Sequence, residues 1–255
     1  MLAGKPNDPP ANGNEPLDRD PPAPAAEVEN NALTSASTPA TPRVVLGMLG
    51  GVGSGKSHVA RRLAALGPGR VVDADALAHE ALASAAADGR LAEVLGSEFV
   101  HAGQPDVAAL GARAFEDPAF LKALEALIHP AVHAAILAEL ARFEAETAPP
   151  VLVLDVPLLI EVGLDRHCDT LWFVETPDAV RAQRGQARGL SLEEIQRREA
   201  FQTPLERKRA RADRVIHNDV EPDALDDQVR TGLTALGIPP HQPQENGAPA
   251  REPSS

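Results

Sequence analysis

Between residues 43 and 237 the chain alternates two patterns. Short, nearly unbroken apolar runs are separated by longer stretches in which apolar residues recur every three or four positions. The first pattern reads as buried strand, the second as helix with one covered face. The apolar runs are VVLGML (44–49), GRVVDAD (69–75), PPVLVLDVPLL (149–159), TLWFVE (170–175) and DRVIHN (213–218). KSHVARRLAAL (56–66) places Val59, Leu63 and Leu66 on one stripe with arginines opposite. ADALAHEALASAAA (74–87) is helical by propensity, and helical character continues from 90 to 148 with a polar break at HAGQPDV. TPDAVRAQRGQAR offers Thr176 as N-cap and Pro177 at the first helical position. SLEEIQRREAFQ offers Ser191 with Glu194 three residues on, a capping box. EPDALDDQVRTGLTAL reads as a closing helix.

Five apolar runs separated by helices predict the α/β class: a five-stranded, mostly parallel sheet covered on both faces, a three-layer sandwich. The stretch 90–148 exceeds a simple strand-to-helix connection and predicts a helical acceptor-binding insert. Ligands of such sheets bind beyond the carboxyl ends of the strands, so the polar residues that follow each run are the candidates for chemistry.

Composition narrows the reading. The chain has 255 residues, 43% of them hydrophobic, enough for one large domain. Residues 1–42 and 238–255 are rich in Pro, Ala, Asn and acidic side chains and are expected to be disordered tails. The N-terminus lacks an apolar signal segment, and no unbroken run reaches the roughly 18 apolar residues of a membrane span. A cytoplasmic protein with no membrane association is expected. Cys168 is the single cysteine, which excludes an intrachain disulfide and a cysteine metal cluster. A net charge of −13 and 3% aromatics, with no Tyr, argue against a nucleic-acid surface. They do not exclude a small anionic substrate, because one cluster of arginines can dominate a cleft. No protein partner is indicated, and a monomer is expected.

The strongest single motif follows the first strand: Gly50-x-x-x-x-Gly55-Lys56-Ser57. This is the full phosphate-loop pattern. Its glycines let backbone N–H groups approach a phosphate, and the next helix points its positive end at the same anion. Gly51, Val52, Gly53, Ser54, Gly55, Lys56 and Ser57 are therefore the expected nucleotide-binding segment. Lys56 reaches the β- and γ-phosphates of ATP, and Ser57 ligates Mg²⁺.

Carboxylates stand at other strand ends. Asp73 and Asp75 share a face of an extended segment; one is placed for an acceptor hydroxyl, the other for capping or orienting. Asp155 ends VLVLD and suits Mg²⁺ ligation, directly or through water, or local capping. Glu161 follows PLLI and is expected to order its loop or touch substrate. Arg181, Arg184 and Arg188, spaced by three and four, lay positive charge along one helix face. Gly185, Gly189 and the helix start at Ser191 suggest a mobile flap there. Arg197 and Arg198 are near enough to join this group. His129, before Pro130 in ALIHPAVH, is a cap or a ligand contact, with Pro130 opening a new helix. His133 finds no third ligand, which argues against zinc.

Taken in order, these segments resemble the dephospho-coenzyme A kinase family. GGVGSGKS is similar to its phosphate loop, VVDADALAHEAL to its Asp-x-Asp segment, LIHP to its Leu-His-Pro segment and DVPLLIE to its Pro-Leu-Leu-x-Glu segment. RGQARGLSLEEIQRREAFQTPLERKRARADRVIHND is similar to its lid and the stretch after it. The resemblance spans about 43–235. It implies a nucleoside-monophosphate-kinase-like fold with a helical acceptor subdomain and a lid at about 184–203. It also implies transfer of the ATP γ-phosphate to the ribose 3′-hydroxyl of dephospho-CoA, the last step to coenzyme A. Asp75 would then be the base or orienter, and Arg184 and Arg188 the lid arginines. His129, Leu158 and Glu161 would lie near the acceptor, and Asn218 near the adenine. Three positions depart from the family pattern: His58 after GKS, Val107 in place of an arginine, and a lid lacking its aspartate. Competing readings are a kinase for another small hydroxyl acceptor, such as a nucleoside or sugar acid, and a non-catalytic nucleotide-binding scaffold. A GTPase is disfavoured because IHND lacks the lysine of a guanine-reading element.

Overall fold

The computed structural model describes residues 42–241. In chain order these form β1 (Val44–Gly50), α1 (Lys56–Leu66), β2 (Gly69–Asp73), α2 (Ala74–Ala87) and α3 (Arg90–Leu95). A short hairpin of β3 (Val100–His101) and β4 (Gln104–Pro105) leads to α4 (Val107–Glu116) and α5 (Pro118–Ala145). Then come β5 (Val151–Asp155), β6 (Thr170–Glu175), α6 (Asp178–Gln186), α7 (Leu192–Ala200), α8 (Leu205–Ala210), β7 (Arg214–His217) and α9 (Pro222–Ala235).

Five strands make one sheet in the order β2-β5-β1-β6-β7, every pairing parallel. All seven residues of β1 are buried, as are all five of β5, because both faces of the sheet are covered. Alternation splits the strand residues between two cores. Leu46, Met48, Val153, Trp172 and Val174 pack under α1 and α9. Val45, Leu49, Leu154 and Phe173 pack with Ile136, Leu140 and Phe143 of α5. A third cluster joins α2, α3 and α4 through Leu82, Leu91, Phe99 and Leu110. Strand β1 has β5 on one side and β6 on the other, so the chain changes direction across the sheet at β1, and a crevice opens beyond its carboxyl end.

The structure departs from the sequence reading in several places. The second strand stops at Asp73, and helix begins at Ala74. The polar break HAGQPDV is the β3–β4 hairpin, turned at Ala102 and Gly103, both with positive φ. Pro130 opens no new helix: α5 runs through it for 28 residues. By length and a mean hydropathy of 1.4 in its most apolar window, α5 is also apolar enough to cross a membrane. A search for unbroken apolar runs passes over it because Lys122, Glu125 and His129 interrupt the run while its alanines raise the average. At the C-terminal end, Ile238 is fully buried in the core and the His241 N–H donates to the Leu66 carbonyl at 2.6 Å. Residues 238–241 therefore pack on the domain, contrary to their expected place in a tail. The rest of the two expected tails, 1–41 and 242–255, lies outside the described residues.

Candidate active site

Beyond β1 the chain turns through the glycine loop into α1. Gly53 and Gly55 hold φ of +77° and +86°, the left-handed region that glycine enters without a steric penalty. At Gly55 a side chain would also overlap the Asn218 amide. Three groups fasten the loop at the Ser54 carbonyl: Asn218 Nδ2 donates at 2.8 Å, Thr176 Oγ1 at 3.0 Å and Arg184 Nη1 at 3.4 Å. Thr176 thus holds the loop rather than capping α6, whose N-cap is Pro177. Asn218 acts at the phosphate loop from the end of β7, and its own carbonyl accepts from Arg184 Nη2 at 2.8 Å.

Lys56 opens α1, and its Nζ donates to the Gly50 and Gly51 carbonyls at 3.2 and 3.1 Å. Burial pushes its ammonium down from the usual lysine range to about 8. Asp155 opposes that shift, Lys208 adds to it, Asp75 opposes it and Arg188 adds to it, in falling order. Asp155 is buried at the end of β5 and paired in register with Asp73, and it lines the cleft with Ser57. Burial raises its carboxyl above the usual range, while Ser57 and Lys56 draw it back. The two carboxylates after β2 divide their work. Asp73 is the N-cap of α2 and accepts from the Asp75 and Ala76 N–H groups at 3.0 and 3.2 Å. That cap leaves the Asp75 side chain in the first turn of α2, facing an open cleft of about 1280 Å³.

Lys56, Ser57, Asp75, Asp155 and Asn218 line this cleft, together with Val52, Gly53 and Gly55 of the loop. Helix α5 contributes His129, the segment after β5 contributes Leu158, and the lid side contributes Arg184, Arg188, Arg197 and Arg198. His58, in the position that departs from the family pattern, faces the cleft, and burial followed by Arg61 and Arg62 holds its imidazole below the usual range. Val107 sits at the exposed start of α4, outside the cleft lining.

Two of the expected site residues have protein partners of their own, and Glu161 takes the loop-ordering role of its two expected ones. Glu161 is not in the cleft lining; its carboxylate accepts from the Thr203 N–H and pairs with Lys208 Nζ at 3.3 Å. Lys208 is fully buried and also donates to Gln202 Oε1 at 2.9 Å, so Glu161 orders the chain after α7. Val52 lines the cleft, and its N–H, the one peptide group there that can donate to a phosphate, is engaged by a side chain. Its N–H donates to Glu199 Oε1 at 3.1 Å, and its carbonyl accepts from Arg181 Nη1 at 3.1 Å. Glu199 and Lys208 were not singled out by sequence reasoning, and Arg181, expected on one basic face with Arg184 and Arg188, is instead buried against the loop. The only local signal for Arg181 is Asp178 three residues earlier, which pairs with it at 2.8 Å. The other two act across gaps of chain that no spacing rule spans.

A parallel sheet whose central strand delivers a phosphate loop, with the loop lysine, arginines and an acceptor-side carboxylate converging on one cleft, defines a P-loop kinase. Comparison with known proteins narrows this. The family model described as dephospho-CoA kinase matches residues 44–223. A dephospho-CoA kinase of Parasynechococcus marenigrum is 43% identical over 195 residues, which cover 75% of this chain and 96% of the relative. One from Anaeromyxobacter dehalogenans is 42% identical, covering 71% of this chain and 86% of its own length. A crystal structure from Thermus thermophilus superposes with a TM-score of 0.61 at 36% identity, covering 76% of this chain and 97% of the other. The chain belongs to the dephospho-CoA kinase family, and with it to the ATP-dependent kinases of coenzyme A biosynthesis.

Proposed function

We propose that this cleft transfers the γ-phosphoryl group of ATP directly to the ribose 3′-hydroxyl of dephospho-CoA. The new bond joins the 3′-oxygen to phosphorus, and the bond from phosphorus to the β,γ-bridging oxygen breaks, leaving ADP. Lys56, Arg184 and Arg188 hold and neutralise the phosphates, helped by the N–H groups that open α1. The convergence of Lys56 and Asp75 on one cleft, from the ends of two different strands, is the observation that carries this reading. Asp75 accepts the hydroxyl proton late in transfer and passes it to solvent. His129 and Leu158 hold the acceptor beside it.

Ser57 and Asp155 present two hard oxygen donors on one wall of the cleft, a set that fits Mg²⁺. When bound there, directly or through water, Mg²⁺ supplies charge neutralisation between the phosphate oxygens. The protein is proposed to be cytoplasmic and to act on this small anion without nucleic acid or membrane. Its net charge of −13 leaves the cleft arginines as the local positive field.

The test is ATP consumption with Mg²⁺ and dephospho-CoA, beside adenosine, AMP and gluconate as alternative acceptors. Phosphate should appear on the 3′-hydroxyl of dephospho-CoA alone. Asp75→Asn should lower kcat by about 10²-fold or more while ATP affinity stays within a few-fold. Equal losses in binding and rate would remove Asp75 from the proton-accepting role. Transfer only to another acceptor would overturn the substrate.

A further inference from the structure

The Val52 peptide sits in a closed ring of hydrogen bonds with two side chains from the lid side of the cleft. Its N–H donates to Glu199 Oε1 at 3.1 Å, and its carbonyl accepts from Arg181 Nη1 at 3.1 Å. The same Nη1 donates to the same Oε1, which closes the ring. Arg181 is buried on α6 and Glu199 lies at the end of α7. The packing is tight: a side chain at Gly51 would overlap Arg181 Nη1, and one at Gly53 would overlap the Arg181 carbonyl. Gly53 is thus required by the approach of the Arg181 backbone as well as by any phosphate, while at Gly51 a side chain would displace the Arg181 guanidinium.

We propose that Arg181 and Glu199 are positioning residues that fix the upper phosphate loop to helix α7. Two consequences follow from the charges. Arg181 lies beside the phosphate site, but its guanidinium is neutralised by Glu199 and by Asp178 at 2.8 Å. It is therefore not one of the phosphate-binding cations. Glu199 would repel a nearby phosphate if Arg181 did not neutralise it, so the two act as a unit. Helix α7 is also tied to the acceptor side, because Arg197 lies over the Phe115 ring at 4.7 Å and donates to the Phe115 carbonyl at 3.4 Å. One helix thereby spans from the donor loop to α4. Holding the loop at one end sets the distance between the γ-phosphoryl group and the acceptor hydroxyl, to which transfer rates are steeply sensitive. This inference rests on the phosphate-loop kinase reading, and wild-type transfer to dephospho-CoA run in parallel separates failure of one from failure of the other.

The experiment compares Glu199→Leu, Glu199→Gln and Arg181→Lys with wild type in the full chain. It reads kcat and KM for both substrates, the Kd of a non-hydrolysable ATP analogue, ATP hydrolysis without acceptor, and the melting temperature. Glu199→Leu should lower kcat by about 10-fold to 10²-fold. Analogue Kd should stay within about threefold, and the ratio of hydrolysis to transfer should rise as the two sites lose register. Glu199→Gln keeps an oxygen for the Val52 N–H and should recover part of the lost kcat. Arg181→Lys keeps the charge but loses the planar fork that holds the ring through Nη1 and Asp178 through Nη2, so it should resemble the leucine variant if the ring geometry matters. A purely structural role would lower the melting temperature with no change in kcat per folded molecule or in the hydrolysis ratio, and would overturn the proposal. Tighter analogue binding in Glu199→Leu would also overturn it, since it would mean that Glu199 withholds Arg181 from the phosphates. If the leucine variant fails to fold, the glutamine and lysine variants decide the question by the same readouts.

Discussion

Lys56 shows how one residue combines two constraints. Its ammonium must meet phosphate oxygens, and it is held against the Gly50 and Gly51 carbonyls at the floor of the cleft, where the surrounding protein lowers its pKa to about 8. Near pH 8 about half of these side chains are neutral in the nucleotide-free protein, and phosphates restore the charge. ATP binding should then take up about half a proton at pH 8, nearly one at pH 9 and very little at pH 6.5. Calorimetry in two buffers of different ionisation enthalpy measures this, and uptake that does not change between pH 6.5 and 9 would refute it. The same shift bears on stability. The unfolded chain binds the proton up to about pH 10.5 and the folded chain only to about 8, so between these values this lysine's contribution to stability rises with pH. Cys168 is shifted the other way: its thiol is pushed up to about 12 by burial first, then by Asp165 and Asp169. It packs where Gly47 leaves space, consistent with a structural role.

Helix-level features depend on close contacts that differ along the chain. Helix α9 covers one face of the sheet through Leu225, Val229 and Leu233, and Gly232 lies directly on the Trp172 ring of β6. A methyl group there would overlap a rigid, fully buried aromatic side chain. Gly232→Ala should therefore lower folding stability by about 1–3 kcal/mol through overpacking. The denaturant midpoint measures this, while turnover per folded molecule should be retained. At α7 the sequence signal was complete: the Ser191 hydroxyl accepts from the Glu194 N–H at 3.1 Å, and the Glu194 carboxylate accepts from the Ser191 N–H at 2.7 Å. At α6 the same kind of reasoning assigned Thr176 to a cap. Its hydroxyl goes instead to the Ser54 carbonyl at 3.0 Å, while the start of α6, led by the exposed Pro177, is left to water.

At the scale of the domain, the end of the folded region is set by burial. Ile238 closes the core beneath α1 and α9 and is fully buried although PP and QP sequences follow it. A chain ending at Gly237 should be less stable than one ending at His241 by about 1.5–3 kcal/mol, the worth of burying one such side chain. Equal melting temperatures for the two would show that Ile238 adds nothing. The parallel sheet brings the ends of β1, β2, β5 and β7 to one edge, and the acceptor-side helices α4 and α5 face that edge across the cleft. Donor and acceptor groups from residues 52 to 218 meet there.

Local sequence alone determined the five strands of the main sheet, most of the helices and the phosphate loop, but not the β3–β4 hairpin. Each is specified by neighbours within a few residues: apolar runs buried on both faces, a capping box, and glycines that a phosphate must approach. Lys56, Ser57 and Asp75 were legible for the same reason, since each lies at a strand end that the pattern marks. The partners of those groups depended on tertiary structure. Asp73 rather than Asp75 became the cap, Glu161 went to Lys208 rather than to the cleft, and Arg181 joined Glu199 around Val52. Which carboxylate meets which cation depends on chain crossings dozens of residues apart. A charge left alone in the folded interior would be costly, so each buried group is held to a partner, and that interior exists only once the chain has folded.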